Sequence, residues 1–342
     1  MSTPDLDSGG TASAPDAAAT PAVSTAASAA ATATPADRVT GSGLGYALAA
    51  YLLWGFLPAY FVLLAPVGPF EVVGWRILFS LIFCALLLTA RRHWAPLLAL
   101  VRDRRVLLSL GAAAAVIYVN WQVFIIASLG GQVLQASLGY FINPIVTVLF
   151  GVIVLRERLR AAQWVAVGIS VAAIVVIAVG YGAVPWISLV LALSFGSYGL
   201  IKKRVGSRVD AVGGLTIETA WLAPLAVVQL TVVGVTGGFE FGRHGVVHTV
   251  LVLLTGVATA LPLLLFASAA RRLPLVALGL TQYLAPVLQF VTGVVLLHEE
   301  IDTERWIGFG LVWVAVIVLS VDALLAARRG RRIRVAAGVT GL

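Results

Sequence analysis

Most polar side chains of this chain lie in short loops, but a few stand inside long apolar runs, and their spacing limits what they can do. Gln132, Gln135, Gly139, Tyr140, Asn143 and Thr147 recur every three or four residues, which places them on one face of a helix. Amides and hydroxyls in that arrangement hold a solute by hydrogen bonds. A bilayer does not reward a polar stripe turned to lipid, so this face is expected to look into a bundle or a wet cavity. A matching run carries Thr281, Gln282, Gln289 and Thr292, with Ala285 where Asn143 stood. Upstream, Asn120 and Gln122 flank Trp121. They point about 200° apart on a helix, so only one of them can face a given cavity. Asn120, one turn before Phe124, is the better candidate, against an interhelical hydrogen bond worth about 0.6 kcal/mol.

Two full charges also stand in apolar runs, Arg76 and Glu218. A central Arg costs roughly 2.5–3.5 kcal/mol on insertion, so it calls for a partner or a role. Glu218 is a candidate carrier of a coupling proton. The alternative for both is snorkelling to the nearest interface. Glu240, His244 and His248 share a four-residue spacing that resembles metal ligands on a helix. They fall in a Gly-containing loop, and no metal is expected there. His298, Glu299 and Glu300 read as a solvated linker. A membrane enzyme would need a nucleophile with its base, paired aspartates or a metal cluster. The chain has no H-E-x-x-H and no G-x-x-x-x-G-K-[ST] phosphate loop, and its GSGLG at 41–45 follows no predicted strand. No cofactor and no catalytic residue are expected.

The elements that must position these residues are membrane helices. The chain is 60% hydrophobic and 11% charged, with a mean hydropathy of +1.01, more apolar surface than a soluble domain can hide. Ten apolar spans are predicted, at 43–64, 70–90, 105–127, 132–155, 161–180, 184–201, 212–236, 247–270, 275–297 and 305–326. Each is long enough to cross a hydrocarbon core of about 30 Å. Trp94, Tyr181, Trp186 and Trp306 sit near span ends, as in an interfacial belt. Residues 1–42, rich in Ala, Thr, Ser and Pro, are expected to be a disordered cytoplasmic tail, and 327–342 a basic one. The single cysteine, Cys84, excludes an intramolecular disulfide. The net charge of +8 does not point to nucleic acid, because the cations sit between apolar runs. The dominance of Arg over Lys fits a GC-rich bacterial genome.

The chain contains one stretch twice. Residues 138–173 lie over 280–315 without a gap, an offset of 142: Pro144 meets Pro286, Glu157 meets Glu299, and Trp164 meets Trp306. The linker of the first copy reads RERLR and that of the second HEEIDTER. Cytoplasmic loops collect Lys and Arg, so the same linker is expected inside in one copy and outside in the other. With the N-terminus inside, 20 of the 23 Lys and Arg fall on the cytoplasmic side, and both termini are cytoplasmic. The fold class expected is an all-α membrane protein of ten transmembrane helices in two inverted five-helix repeats, 43–180 and 184–326, typical of secondary transporters. Arg76 and Glu218 are also 142 apart, in equivalent places. Inversion sets their depths about 10 Å or more apart at 1.5 Å per residue, which makes direct pairing awkward. Pro144 and Pro286 are expected to kink matching helices and free the carbonyls of Tyr140 and Gln282.

The runs NWQVFIIASLGGQVLQASLGYFINP (120–144), FGSYGLIKK (195–203), ETAWLAP (218–224), ALPLLLFASAARRL (260–273), LTQYLAP (280–286) and WVAVIVLSVDA (313–323) carry a family resemblance. The chain resembles the RarD branch of the EamA family in the drug/metabolite transporter superfamily, over about 40–328. The resemblance implies a multi-pass protein of the bacterial inner membrane that exports small organic molecules, in a branch linked by name to chloramphenicol sensitivity. The positions that match the family's motifs and are taken as substrate-binding candidates are Asn120, Trp121, Gln135, Tyr140, Asn143, Gln282 and Tyr283, with Arg76 and Glu218 for charge or coupling. Where the family pattern is expected to read L-E-A-S-L-G-Y-F, this chain has Gln135, which leaves Glu218 as the candidate for proton coupling.

The leading expectation is therefore a gradient-driven transporter in a lipid bilayer. Its lining of amides, hydroxyls and aromatics suits a neutral or zwitterionic, partly apolar solute. The alternatives are a membrane sensor or assembly partner without transport, and a polytopic membrane enzyme. The Gly234–Gly238 spacing is the one hint of a homodimer.

Overall fold

The computed structural model describes residues 41–155, 159–181, 183–205, 209–270, 272–273, 278 and 280–336. Its regular structure is helical, and no strand occurs among the described residues. The helices are α1 (Gly41–Val62), α2 (Pro69–Ala90), α3 (Trp94–Arg102), α4 (Arg104–Leu129), α5 (Val133–Leu155), α6 (Ala161–Tyr181), α7 (Trp186–Val205), α8 (Ala211–Thr236), α9 (Gly245–Leu253), α10 (Thr255–Ala270), α11 (Leu284–Val291), a π-turn (Thr292–Leu296) and α12 (Thr303–Ala336). Among the described residues, eight stretches are long and apolar enough to cross a membrane: α1, α2, α4, α5, α6, α8, α9 with α10, and α12. At the places of the predicted sixth and ninth spans stand two shorter apolar helices, Trp186–Lys202 and Leu284–Leu296.

The chain begins and ends its spans where local chemistry allows. Pro69 opens α2, where a missing N–H costs nothing. Asp103 caps α4 by accepting from the amides of Arg105 and Val106, and Asp210 caps α8 through Val212 and Gly213. The expected disordered tail at 1–42 falls outside the described residues except for 41 and 42, which open α1. So do most of the RERLR linker and residues 337–342. The last helix runs on to Ala336 rather than ending at 326, because Ala, Leu and Arg are strong helix formers. Within the predicted inner loop, Trp94–Arg102 forms the short helix α3, which buries Leu97 and exposes Trp94, Leu98 and Val101.

Four packings set the bundle: α5 on α7, α4 on α7, α2 on α8, and α6 on α12, with α1 against α10 and α11. Close approach needs glycine at Gly256, where a Cβ would run into the backbone of Phe79 on α2. The predicted Gly234–Gly238 helix face is corrected. α8 ends at Thr236, Gly238 has a φ of +77°, and the side chain of Phe239 covers Gly234. That spacing is used within the chain.

Glu299 was expected to be solvated; instead its carboxylate accepts from the amides of Val133 (2.6 Å) and Leu134 (2.9 Å) at the start of α5. A helix N-terminus offers unpaired N–H groups and a positive dipole end. Burial lifts the Glu299 carboxyl above the usual carboxylate range, against the pull of the two amides. The contact ties the linker before α12 to the opening of α5. Glu299→Ala is expected to cost about 1 kcal/mol or more, lowering the melting temperature of the detergent-solubilised protein. Glu300→Ala, at an exposed neighbour, is expected to shift it by less than half as much.

Candidate functional site

The predicted site residues separate into four places. The first is central and buried. Asn120 on α4 is 1% exposed. Its Nδ2 donates to the Leu191 carbonyl (3.2 Å) and to Ser194 Oγ (3.0 Å) on α7, and its Oδ1 accepts from the Tyr140 hydroxyl on α5 (3.0 Å). Asn120 thus links three helices. The Tyr140 ring stands edge-on to Phe124 and Phe195. Next to it, the Trp121 ring carries the Arg76 guanidinium, with Cζ 4.4 Å from the centroid. The hydroxyls of Tyr60 and Tyr140 lie within electrostatic reach of that cation. Gln122, on the other face as its spacing required, meets Gln229 of α8 (3.3 Å), whose amide also receives the Tyr118 hydroxyl.

Arg76 and Glu218 do not pair, and neither snorkels: they are 4% and 1% exposed. Arg76 Nε donates to Thr259 Oγ1 on α10 at 2.7 Å. Glu218 forms the second place. Its Oε1 accepts from Lys202 Nζ (2.6 Å) and its Oε2 from the Tyr198 hydroxyl (3.1 Å). The predicted sixth span ends at 201, but α7 continues to Val205 and carries Lys202 to Glu218. Tyr198 and Lys202 are four residues apart, on one face of the helix, and that spacing was the available signal. Thr259 and Ser194, also missed, carry no such mark: a single hydroxyl in an apolar run mostly bonds its own helix.

The third place is the α5–α7 seam. Gly139 lets the helices meet, since a Cβ there would stand 2.7 Å from the Ser188 carbonyl oxygen. Ser188 Oγ donates to the Gln135 carbonyl (2.6 Å). Asn143 lies against α7 beside Gly196, and its buried Oδ1 has no hydrogen-bond partner. The ends of the stripe leave the interior, because Gln132 and Thr147 are exposed. The Gln135 side of α5 also lines an open cleft with Leu138, Trp186, Arg305 and Phe309.

The fourth place is the ninth span, where an expectation is corrected. Pro144 sits within a continuous α5. Pro286 does not kink a helix: residues 282–283 form a turn, α11 starts at Leu284, and Pro286 occupies its first turn. A proline fits there because the first-turn amides have no helical acceptor. The Gln282 carbonyl is not freed either, since it accepts from the Ala285 amide (3.4 Å). The Pro286 carbonyl accepts from Ser137 Oγ of α5 (2.8 Å). Tyr283 packs with the Phe141–Phe309 cluster, its hydroxyl toward Ser320, and Gln282 is half-buried. The structure thus joins Asn120, Trp121, Tyr140 and Arg76, and sets Gln135, Asn143, Gln282, Tyr283 and Glu218 apart from them.

Between α8 and α9, Glu240 meets His244 (2.6 Å), while His248 Nε2, on α9, turns to the Leu64 carbonyl (3.0 Å). The three do not converge.

Residues 41–179 match the EamA-like transporter family. The protein RarD of Streptomyces exfoliatus is 47% identical over 296 residues, covering 86% of this chain and 93% of that one. The chain belongs to the RarD branch of the EamA family. RarD of Escherichia coli K12 is 37% identical over 292 residues, covering 85% and 98%. The chloramphenicol-sensitive protein RarD of Pseudomonas aeruginosa is 32% identical over 299 residues, covering 86% and 99%. A crystal structure at 18% identity superposes with a TM-score of 0.54, over 85% of this chain and all of that one, so the fold is shared. This family member is a multi-pass membrane transporter by kinship, and several relatives bear the name transporter.

The Lys202–Glu218 pair gives a test of the buried charge. Lys202→Met strands the carboxylate and is expected to cost about 3–5 kcal/mol. Adding Glu218→Leu is expected to recover most of that loss in thermal unfolding. Equal instability of the single and double variants would show that the two groups do not act as a pair.

Proposed function

We propose that this chain is a secondary transporter that exports small organic solutes across the bacterial inner membrane by alternating access. Ten spans in two inverted repeats, with both termini cytoplasmic, would enclose the solute among Asn120, Trp121, Tyr140 and Arg76. Glu218 is assigned to proton coupling.

The packing of the helices is the observation that carries this reading. At the offset of 142, α1 corresponds to α7, α2 to α8, α4 to α9 with α10, α5 to α11 with its π-turn, and α6 to α12. The contacts respect that exchange. α5 lies on α7 as α11 lies on α1, and α4 lies on α7 as α10 lies on α1. α2 with α8, and α6 with α12, are pairs of equivalents. Two copies packed this way favour rocking of one against the other around the polar centre between them. The alternation of the spans has its own support, because residues that meet are ones the proposed topology puts on the same side of the membrane; the loop charges alone set which side is inside. Glu299 meets Val133 outside, Glu71 meets the amides of Glu240 and Phe241 outside, and Arg160 meets Asp322 inside (2.8 Å).

The test is flux across proteoliposome membranes of a mixed pool of amino acids, nucleosides and amphenicol drugs, under proton or sodium gradients. At least one solute is expected to move with wild-type protein, and with Asn120→Leu, checked for folding, its rate is expected to fall about tenfold or more. Unchanged flux in the variant would move the site elsewhere. No flux under either gradient would favour a sensor or assembly role.

A further inference from the structure

The central charge of this site is left half-used by the protein. The Arg76 guanidinium lies over two aromatic rings, Trp121 at 4.4 Å and Phe61 at 5.4 Å from Cζ to the centroid. Its Nε is bonded to Thr259. Its Nη1 is shut off from solvent and has no hydrogen-bond partner. Among the described residues, none forms an ion pair with Arg76. The acids that might serve are committed. Glu71, one and a half turns away on α2, accepts from the amides of Glu240 and Phe241 and from Trp75. Glu218 is held by Lys202 and Tyr198.

Ring faces attract a cation but do not satisfy its N–H edge. A buried cationic N–H left without an acceptor is costly, and that cost is relieved when an anion arrives. A guanidinium edge fits a carboxylate with two parallel hydrogen bonds. We propose that Arg76 is the anchor for the acid group of the transported solute, so that the substrate class is an organic carboxylate with an apolar or aromatic body. The body would lie among Trp121, Phe61, Phe124 and Tyr140, while the cation repels basic solutes. This inference rests on the transporter reading and sharpens it. The amide and hydroxyl lining pointed to a neutral or zwitterionic solute; the unpartnered Nη1 adds the requirement for an acid.

Phenylacetate and phenylacetamide share a shape and differ in charge, so they serve as probes in equilibrium binding to the full-length protein in detergent. Wild type is expected to bind the acid about tenfold to a hundredfold more tightly than the amide, the range of a charge-assisted hydrogen bond. Arg76→Gln is expected to abolish the preference, and Arg76→Lys to keep part of it, since Lys retains the charge without the fork. A readout on wild type alone covers the case of a variant that does not fold: lowering the pH until the probe itself is protonated weakens binding of the acid and leaves that of the amide unchanged. Equal binding of acid and amide, binding of neither, or a preference that persists in folded Arg76→Gln overturns the proposal. Flux of the mixed solute pool separates the two readings. Protein-dependent flux with no acid preference keeps the transporter and removes the anchor. An acid preference with no flux of any solute, phenylacetate included, keeps the anchor and removes the transporter.

Discussion

A hydrocarbon surround offers nothing to a peptide N–H or C=O, so every group released from a helix inside a membrane must be met by the protein itself. That constraint explains why an irregular part of the bundle is tied to the helices around it. The chain from Gln282 to Leu297 is a turn, a short helix and a π-turn in succession. Ser137 of α5 meets the Pro286 carbonyl, and the Gln289 amide reaches the Trp54 carbonyl of α1. The amides of Leu297 and Glu299 close the π-turn on Thr292 and Gly293. The Glu299 side chain then seals the start of α5. Mending the break and joining the halves are therefore one set of contacts.

The same medium forces a separate solution on each buried charge. Glu71 is met by two loop amides and an indole N–H, Glu218 by an ammonium and a phenol, and Glu299 by two helix-terminal amides. Each acid thus has the donors that hold a carboxylate at low dielectric. Arg76 has one hydroxyl acceptor and two ring faces. Glu71, on the same helix, and Glu218, at the equivalent place in the second copy, both face other partners. The imbalance between well-served anions and an underserved cation separates the centre from the rest of the charge network.

Hydropathy and loop charge made most spans legible, because helix length and apolarity are local properties of the chain. The break before Pro286 was not legible. A proline in mid-helix and a proline in a first turn look alike in sequence, and what decides between them is whether a partner such as Ser137 is at hand. The roles of Glu299 and Lys202 were hidden for a related reason. Charged residues at span ends default to solvent, and only tertiary packing brings Glu299 to an open helix terminus or Lys202 to Glu218. Asn120 and Tyr140 were legible as polar residues in apolar runs, but the bond between them joins positions on different helices. Thr259 and Ser194 look like ordinary helix hydroxyls until the helices are assembled.

The two prolines also bear on the proposed mechanism. Pro144 and Pro286 are equivalent in sequence, yet α5 passes through Pro144 unbroken while the ninth span is interrupted just before Pro286. The residues just before the two prolines differ, Gly139, Tyr140 and Asn143 standing where the second copy has Thr281, Gln282 and Ala285. In an alternating machine, two inverted copies hold opposite conformations at any instant, because one side must be closed while the other opens. One continuous and one interrupted helix at matching positions fit such a division of roles. In the proposed cycle the two helices would exchange states when access switches. Ser137, which reaches across to Pro286, is then among the first contacts that must be released.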